Sequence, residues 1–276
     1  MKHIVCFSGG HSSALVAVEV ARRHGLQDLV LLNHDINPRV EDADIKRFKR
    51  EVSEVLQTPI TYANYTRWET WDQFDIARYH SAWKTSHDTV LCTHRLKTEP
   101  FLKWLDENLA GKEGVVYYGF DASEPKRIQR RSQIMGALGY KTDFPLALWP
   151  RTIHSIRELG IEPPLTYSTF RHANCVGCVK GGRQHWYVVF CTRPDIWEKA
   201  KAAEEDIGYT ILKDVSLTDL EKLFARMKCA GIEATERLKP QTFWASVRKA
   251  GIDTTPDPAD LLPCECTEVS IDDILS

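Results

Sequence analysis

A serine- and glycine-rich segment near the N-terminus combines the residue types that bind phosphate. It follows an apolar run at residues 3–7, precedes a run with helical apolar spacing at residues 12–24, and reads Ser8-Gly9-Gly10-His11-Ser12-Ser13. Glycines let a backbone approach a ligand closely, and the N–H groups and dipole of a helix start favour an anion. We predict a phosphate-binding loop in which Ser8 and Ser13 are catalytic, with donors added by His11. An ordinary capped turn is the alternative.

A basic segment further along the chain supplies a second set of anion-binding groups. Arg95 and Lys97 lie at a predicted helix start, where a planar guanidinium and a compact ammonium suit phosphate or sulfate. Asp35 ends a predicted strand, and doubly wound sheets contact nucleotides at their strand ends. We predict catalytic roles for Arg95 and Lys97. For Asp35 we predict a nucleotide or metal contact, with a plain turn residue as the alternative.

The chain has eight cysteines, and their grouping indicates a metal centre. In a reducing compartment, such cysteines are more often metal ligands or catalytic thiols than disulfides. Cys175 and Cys178 form a C-x-x-C pair, which can be half of a zinc site, half of an iron–sulfur site or a redox dithiol. Cys264 and Cys266 would complete a four-cysteine site with this pair, and zinc is the metal expected there.

The order of these motifs resembles that of a known enzyme family. The sequence Ser-Gly-Gly-x-x-Ser after the first strand resembles the PP-loop of the adenine nucleotide α-hydrolase-like superfamily, with Ser12 in the position of the usual aspartate. A cysteine before the Arg-Lys segment and a distant C-x-x-C follow, as in the phosphoadenylyl-sulfate reductase-like family. The resemblance covers roughly residues 1–190. It implies MgATP or a related adenine nucleotide as ligand, bound by the whole loop from Ser8 to Ser13.

The same resemblance extends to a glycine after a later strand. Gly119 and Arg127 correspond to nucleotide-binding positions of the family, although Phe120 and Asp121 stand where the family has two arginines. The resemblance therefore implies that Gly119 and Arg127 contact the nucleotide. A solvated helix face is the alternative for the basic run that contains Arg127.

The resemblance also implies a [4Fe-4S] cluster. Cys92, Cys175 and Cys178 match three of its ligands, and Leu91 stands in the position of another family cysteine. Cys264 and Cys266 are possible further ligands. Structural Zn²⁺, bound by the four cysteines named above, is the alternative to the cluster.

Three functions compete on these motifs. The first is an adenylating sulfurtransferase that releases pyrophosphate from ATP and acts in nucleic-acid thio-modification, with tRNA or DNA as acceptor and a sulfur-donor protein as partner. The second is a sulfonucleotide reductase. The third is a nucleotide-binding module without catalysis, stabilised by zinc. We prefer the first function, because tRNA thiolases of the superfamily use a cluster with three cysteine ligands.

Alternating strand and helix patterns predict the scaffold that positions these residues. The predicted strands are residues 3–7, 29–33, 59–62 and 115–120, and the predicted helices are residues 12–24, 40–56, 93–109, 125–138, 195–205 and 217–228. This alternation predicts an α/β fold with a doubly wound, mostly parallel sheet. We predict a nucleotide-binding domain at residues 1–150 and a helical, cysteine-bearing region at residues 151–276.

Composition limits the remaining classes. The net charge of −2 over 276 residues excludes a uniformly basic nucleic-acid coat. No apolar run approaches the ~20 residues of a membrane helix, and the N-terminus does not resemble a secretory signal. We therefore expect a cytoplasmic protein without a membrane partner, and we expect it to form a homo-oligomer.

Overall fold

A computed structural model describes residues 1–86 and 88–254. Its strands and longer helices are, in chain order, β1 (Lys2–Cys6), α1 (His11–His24), β2 (Leu29–Asn33), α2 (Ala43–Val55), β3 (Ile60–Tyr62), α3 (Gln73–His80), α4 (Leu91–Thr93), α5 (Glu99–Asn108), β4 (Gly114–Tyr117), α6 (Pro125–Ala137), β5 (Lys141–Asp143), α7 (Pro145–Leu148), α8 (Arg183–Thr192), α9 (Pro194–Ile207), α10 (Leu217–Cys229) and α11 (Pro240–Lys249). Short 3₁₀ turns occupy Thr66–Trp68, Ala110–Lys112, Ile156–Leu159 and Leu165–Ser168. A π-helical turn spans His94–Thr98.

The five strands form one parallel sheet in the order β3-β2-β1-β4-β5. The predicted α/β class and parallel sheet are confirmed. Strand β5 was not predicted, because its sequence Lys-Thr-Asp has no apolar residue and pairs only at the sheet edge. The strand order reverses between β1 and β4, and this reversal is the switch point at which open α/β sheets bind ligands.

Successive strand residues face two different apolar clusters. Val5 packs in one cluster with residues of α1 and with Phe48 of α2. Its neighbour Ile4 packs in the other with Leu105 of α5 and Met135 of α6. Because neighbouring residues of a strand point to opposite faces, the two clusters cover the two faces of the sheet. Helices on both faces are the arrangement of a doubly wound fold.

The described residues form two compact units, each made of several chain segments. The first unit contains the sheet and comprises residues 1–35, 43–69 and 96–165. The second comprises the described residues of the ranges 36–42, 70–95 and 166–254. Within the first unit, Glu19 of α1 is buried. Its carboxylate accepts hydrogen bonds from the backbone N–H of Thr152 at 2.6 Å and of Ile153 at 3.1 Å. The segment just after residue 150 is thus fastened to α1.

The second unit is helical and has an aromatic core. Trp186 of α8, Trp197 of α9, Phe224 of α10 and Phe243 of α11 are at most 2% exposed and belong to one apolar cluster. Early chain segments join this cluster through residues such as Phe74 of α3. In the part of the chain that the structure describes, no helix is both long and apolar enough to cross a membrane.

Candidate functional site

The serine- and glycine-rich loop leaves β1 at the switch point and leads into α1. Gly9 has a φ of +80°, a left-handed conformation that L side chains rarely adopt. Gly10 precedes the helix, and no side chain among the described residues caps it through a hydrogen bond. The first turn of α1 carries no acidic residue, whereas its last turn carries Arg22 and Arg23. This distribution leaves the positive end of the helix dipole uncompensated by side chains.

The serines of the loop have different environments. Ser13 is buried, and its hydroxyl donates to the Gly10 carbonyl at 2.8 Å. The Ser8 hydroxyl lies 3.3 Å from the Ser13 hydroxyl and donates to it. Ser8 and Ser12 are exposed. Ser13 therefore shapes the loop from inside, while Ser8 and Ser12 are the serines that solvent and a ligand can reach.

Gly119, which follows β4, lies against the start of α1. A Cβ on Gly119 would stand 3.2 Å from the Ser12 carbonyl carbon and 3.2 Å from the Ser13 nitrogen. Both atoms belong to backbone, so they cannot move aside as a flexible side chain would. The segments after β1 and β4, which border the switch point, thus meet so closely that a side chain on Gly119 would require the backbone to shift.

His11 is held as a neutral acceptor beside the loop. Its Nε2 accepts the backbone N–H of Ile156 at 3.3 Å, which places the ring proton on Nδ1. Burial lowers the pKa of His11, and the charge of Arg157 lowers it further. The predicted donor role of His11 is therefore limited to Nδ1.

A buried lysine under the loop was not among the predicted site residues. Lys49 of α2 is 1% exposed, and its Nζ donates to Asn33 Oδ1 at 3.2 Å. Asn33 Nδ2 in turn donates to the carbonyl of Phe7, the residue before Ser8. A signal for Lys49 exists in the sequence, because it shares the apolar face of α2 with buried residues such as Phe48.

His34 lies at the carboxyl end of β2, next to β1. Its Nδ1 donates to the Ala63 carbonyl at 2.6 Å. Burial lowers the pKa of His34 to about 4, and the charges of Lys97 and Lys49 act in the same direction, against the hydrogen bond to Ala63. His34 is therefore neutral at pH 7, and the predicted cation Lys97 acts electrostatically on this strand end.

Asp35 is exposed and lies in a polar turn. Its carboxylate pairs with Lys46 at 2.6 Å, and its backbone N–H donates to Asn64 Oδ1 at 2.8 Å. Asn64 also donates to the Asp35 carbonyl at 2.9 Å, so the ends of β2 and β3 are tied together. These bonds give Asp35 a structural role in the turn; its predicted contact with a nucleotide or metal stays a prediction.

Arg127 lies in the first turn of α6, close to Gly119 in sequence. It pairs with Glu124, and its guanidinium stands 4.4 Å from the centre of the Phe120 ring. Asp121 pairs with Arg151 at 2.5 Å, and hydrogen bonds from Ser123 and Arg151 lower its pKa. These four charged residues thus form two local pairs, and Arg151, whose partner Asp121 lies two residues after Gly119, was not among the predicted site residues.

The predicted basic segment is a widened helical turn. The helix begins at Leu91, so Arg95 and Lys97 do not stand at its start but within the π-helical turn His94–Thr98. Such turns are rare and are frequent at functional sites. Arg95 belongs to the second unit and Lys97 to the first.

All three predicted cysteine ligands that the structure describes belong to the second unit. Cys92, Cys175 and Cys178 form no disulfide and are of intermediate exposure. Gly177, between the pair, has a φ of +71°, and a Cβ there would stand 2.6 Å from a methyl carbon of Ile196. The C-x-x-C turn therefore requires glycine at this position. Cys264 and Cys266 lie outside the described residues.

Hydrogen bonds hold the C-x-x-C turn. Gln73 Nε2 donates to the Val176 carbonyl at 2.9 Å and to the Gly177 carbonyl at 3.1 Å. His185 Nε2 accepts the backbone N–H of Cys178 at 3.1 Å, and His185 Nδ1 donates to Glu236 at 2.5 Å. None of these three residues was among the predicted site residues; His185 follows the cysteines closely in sequence, whereas Gln73 and Glu236 come from distant segments.

The donor set fits half of a metal site. The turn presents two thiols, but within residues 1–86 and 88–254 no group of three His, Cys, Asp or Glu side chains could hold a metal ion. The described residues therefore do not by themselves complete either a cluster or a zinc site.

Comparisons with known proteins assign no function. No family model matches the chain, and no solved structure matches it. The chain is similar to the uncharacterized nin region protein ORF290 of Escherichia phage lambda, with 28% identity over 211 aligned positions. The match covers 67% of this chain and 68% of the phage protein.

Proposed function

We propose that this chain is a nucleotide-binding enzyme of the PP-loop type that uses MgATP and releases pyrophosphate. The observation that carries the proposal is the meeting of Gly119 with the backbone of Ser12 and Ser13 at the sheet's switch point. An uncapped helix start, a left-handed glycine and a second strand end come together there. These are the features that let backbone N–H groups surround an anion.

The proposed reaction is adenylation of an acceptor oxygen. That oxygen attacks the α-phosphate of ATP, the bond to the bridging oxygen of pyrophosphate breaks, and pyrophosphate leaves with the electron pair. The loop N–H groups and the hydroxyls of Ser8 and Ser12 hold the departing pyrophosphate, and Lys97 offsets its growing charge. Asp35 and Arg127 keep their predicted roles as further contacts in this proposal, and the catalytic role of Arg95 stays a prediction.

Sulfur transfer to the adenylated acceptor is a separate part of the proposal. The resemblance to tRNA thiolases supports it, as does the C-x-x-C turn, whose two thiols would bind iron when a cluster is present. A nucleic-acid acceptor is proposed on the same resemblance.

Glycine substitutions test the nucleotide site. We expect the wild-type chain to bind MgATP in calorimetry and to form AMP and pyrophosphate in the presence of its acceptor. Gly119→Ala should weaken ATP binding at least about 10-fold, because the new methyl group meets the backbone of Ser12 and Ser13. The matched control is Gly136→Ala, because the Cβ at Gly136 in α6 would have no atom within 4 Å. A wild-type chain that binds no ATP would refute the proposed function, and formation of ADP and phosphate would refute the adenylation step.

A further inference from the structure

Lys49 occupies a position at which lysine is unusual. It lies on the face of α2 that also presents Ile45, Phe48 and Val52, and all four residues are at most 1% exposed. Lysine is almost never fully buried unless it is paired, since removing its charge from water costs several kcal/mol. An apolar residue would fill this position without that cost.

The stem of Lys49 supports the phosphate loop directly. A Cβ on Gly9 would stand 2.9 Å from Lys49 Cγ, 3.0 Å from Lys49 Cδ and 2.9 Å from Ile45 Cγ2. The backbone of Gly9 therefore rests on the methylene groups of Lys49 with no space for a side chain. Any shift of this stem moves the surface on which the loop lies.

The ammonium group of Lys49 is placed under the strand ends. Nζ donates to Asn33 Oδ1 at 3.2 Å and stands 5.8 Å from the centre of the Tyr62 ring. Asn33 Nδ2 donates a hydrogen bond to the carbonyl of Phe7, the residue immediately before the loop. A positive charge is thus fixed beneath the carboxyl ends of β1, β2 and β3, where the protein interior screens it less than water would.

We propose that Lys49 is a positioning residue that makes the loop selective for the pyrophosphate part of its ligand. Its stem fixes Gly9, its bond to Asn33 fixes the residue before Ser8, and its buried charge attracts the multiply charged end of a nucleoside triphosphate. The inference rests on the proposed nucleotide site. It predicts that the charge at position 49 matters more for a di- or triphosphate than for an uncharged nucleoside.

The test compares ligands on one neutral variant. Lys49→Met keeps the apolar stem and removes the charge. We expect it to bind inorganic pyrophosphate and ATP at least about 10-fold more weakly than the wild type, and adenosine within about 2-fold, as measured by calorimetry. Arg50→Met is the matched control, because Arg50 lies next in α2 but is 68% exposed. This control should leave all three affinities within about 2-fold.

Outcomes separate the two proposals. A wild type that binds neither ATP nor pyrophosphate overturns the proposed function itself. A wild type that binds both, with Lys49→Met equally tight for pyrophosphate, overturns only the role of Lys49. Equal losses for pyrophosphate and adenosine would assign Lys49 a merely structural role and overturn the inference as well.

A measurement on the folded wild type covers the case in which Lys49→Met does not fold. The side-chain resonances of Lys49 are followed by NMR in lysine-labelled protein, with Lys49→Arg for assignment. Pyrophosphate should shift these resonances more than adenosine does. Unchanged resonances at saturating pyrophosphate would overturn the inference.

Discussion

At the scale of single residues, the loop separates the serines that support it from those that face outward. Ser13 is buried and donates to Gly10, whereas Ser12 is exposed at the helix start. Ser12 stands where the resembling superfamily has aspartate. A neutral hydroxyl there adds no negative charge to the first turn of α1, which carries no acidic residue. The helix end therefore keeps its full attraction for an anion.

Histidine titration gives a pH prediction at the same scale. The folded-state pKa of His34 is about 4, below the value of about 6.5 in an unfolded chain. The neutral ring thus stabilises the fold fully above about pH 6.5, and this contribution is lost as pH falls toward 4, because the unfolded chain binds the proton first. We expect the free energy of unfolding to decrease over this window, by up to about 1.4 kcal/mol per pH unit from His34.

His34→Gln tests this assignment, because glutamine is polar and of similar size but does not titrate. Chemical denaturation at several pH values should show a smaller slope for this variant between pH 4 and 6.5. His154→Gln is the control, since His154 is exposed. An unchanged slope in His34→Gln would contradict the assignment.

At the scale of elements, turns and helix ends place the chemistry. The C-x-x-C turn is held by Gln73 of α3 and by His185 of α8, which come from opposite sides of the turn in sequence. Glycine at position 177 allows the turn to close against Ile196 of α9. These contacts fix the backbone of the turn that carries Cys175 and Cys178.

Metal content is the prediction that belongs to this element. We expect the full chain, purified without oxygen, to show a broad brown absorption with about four irons and four sulfides per chain. Cys175→Ser should abolish it, whereas Cys229→Ser should not, because Cys229 is an exposed thiol at the end of α10. A colourless protein with one zinc would contradict the cluster and favour the four-cysteine zinc site. Cys92→Ser distinguishes the two sites independently: it should remove the cluster but leave the four-cysteine zinc site intact, since only the cluster uses Cys92.

At the scale of the whole molecule, the two units share the chain in alternation. Residues 36–42 and 70–95 belong to the second unit, although strands of the first unit flank them in sequence. Val40, for example, accepts the backbone N–H of Val176 at 2.8 Å. Phe74 and Trp83 also belong to the aromatic cluster of the second unit. Cutting the chain at residue 150 would therefore separate residues 36–42 and 70–95 from the rest of the unit to which they belong.

Truncation tests the predicted division at residue 150. We expect a fragment of residues 1–150 to unfold without a cooperative transition and to bind no ATP. It would expose the apolar side chains of residues 36–42 and 70–95, and Glu19 would lose the backbone donors of Thr152 and Ile153. Circular dichroism during heating measures this against the full chain. Cooperative unfolding of the fragment would support a self-contained domain at residues 1–150.

Many of the strands and helices were predictable because their signals are local. The strand at Leu29–Asn33 and the helices near residues 12–24, 125–138 and 217–228 follow from apolar periodicity, and the structure places them within one or two residues of the prediction. The loop of Ser8 to Ser13 was predictable for the same reason, since glycines and serines between a strand and a helix form a local pattern.

Tertiary structure alone decided which of these segments meet. Gly119 lies against Ser12 because β4 pairs with β1. In this pairing Lys2 stands opposite Gly114, which is 112 residues further along the chain. The spacing of Lys49 in α2 places it on the apolar face, but this pattern does not show what the lysine contacts. Its burial under Gly9 depends on how α2 packs on the sheet. Local sequence determines elements through short-range sterics and periodicity, whereas packing between distant segments determines the site.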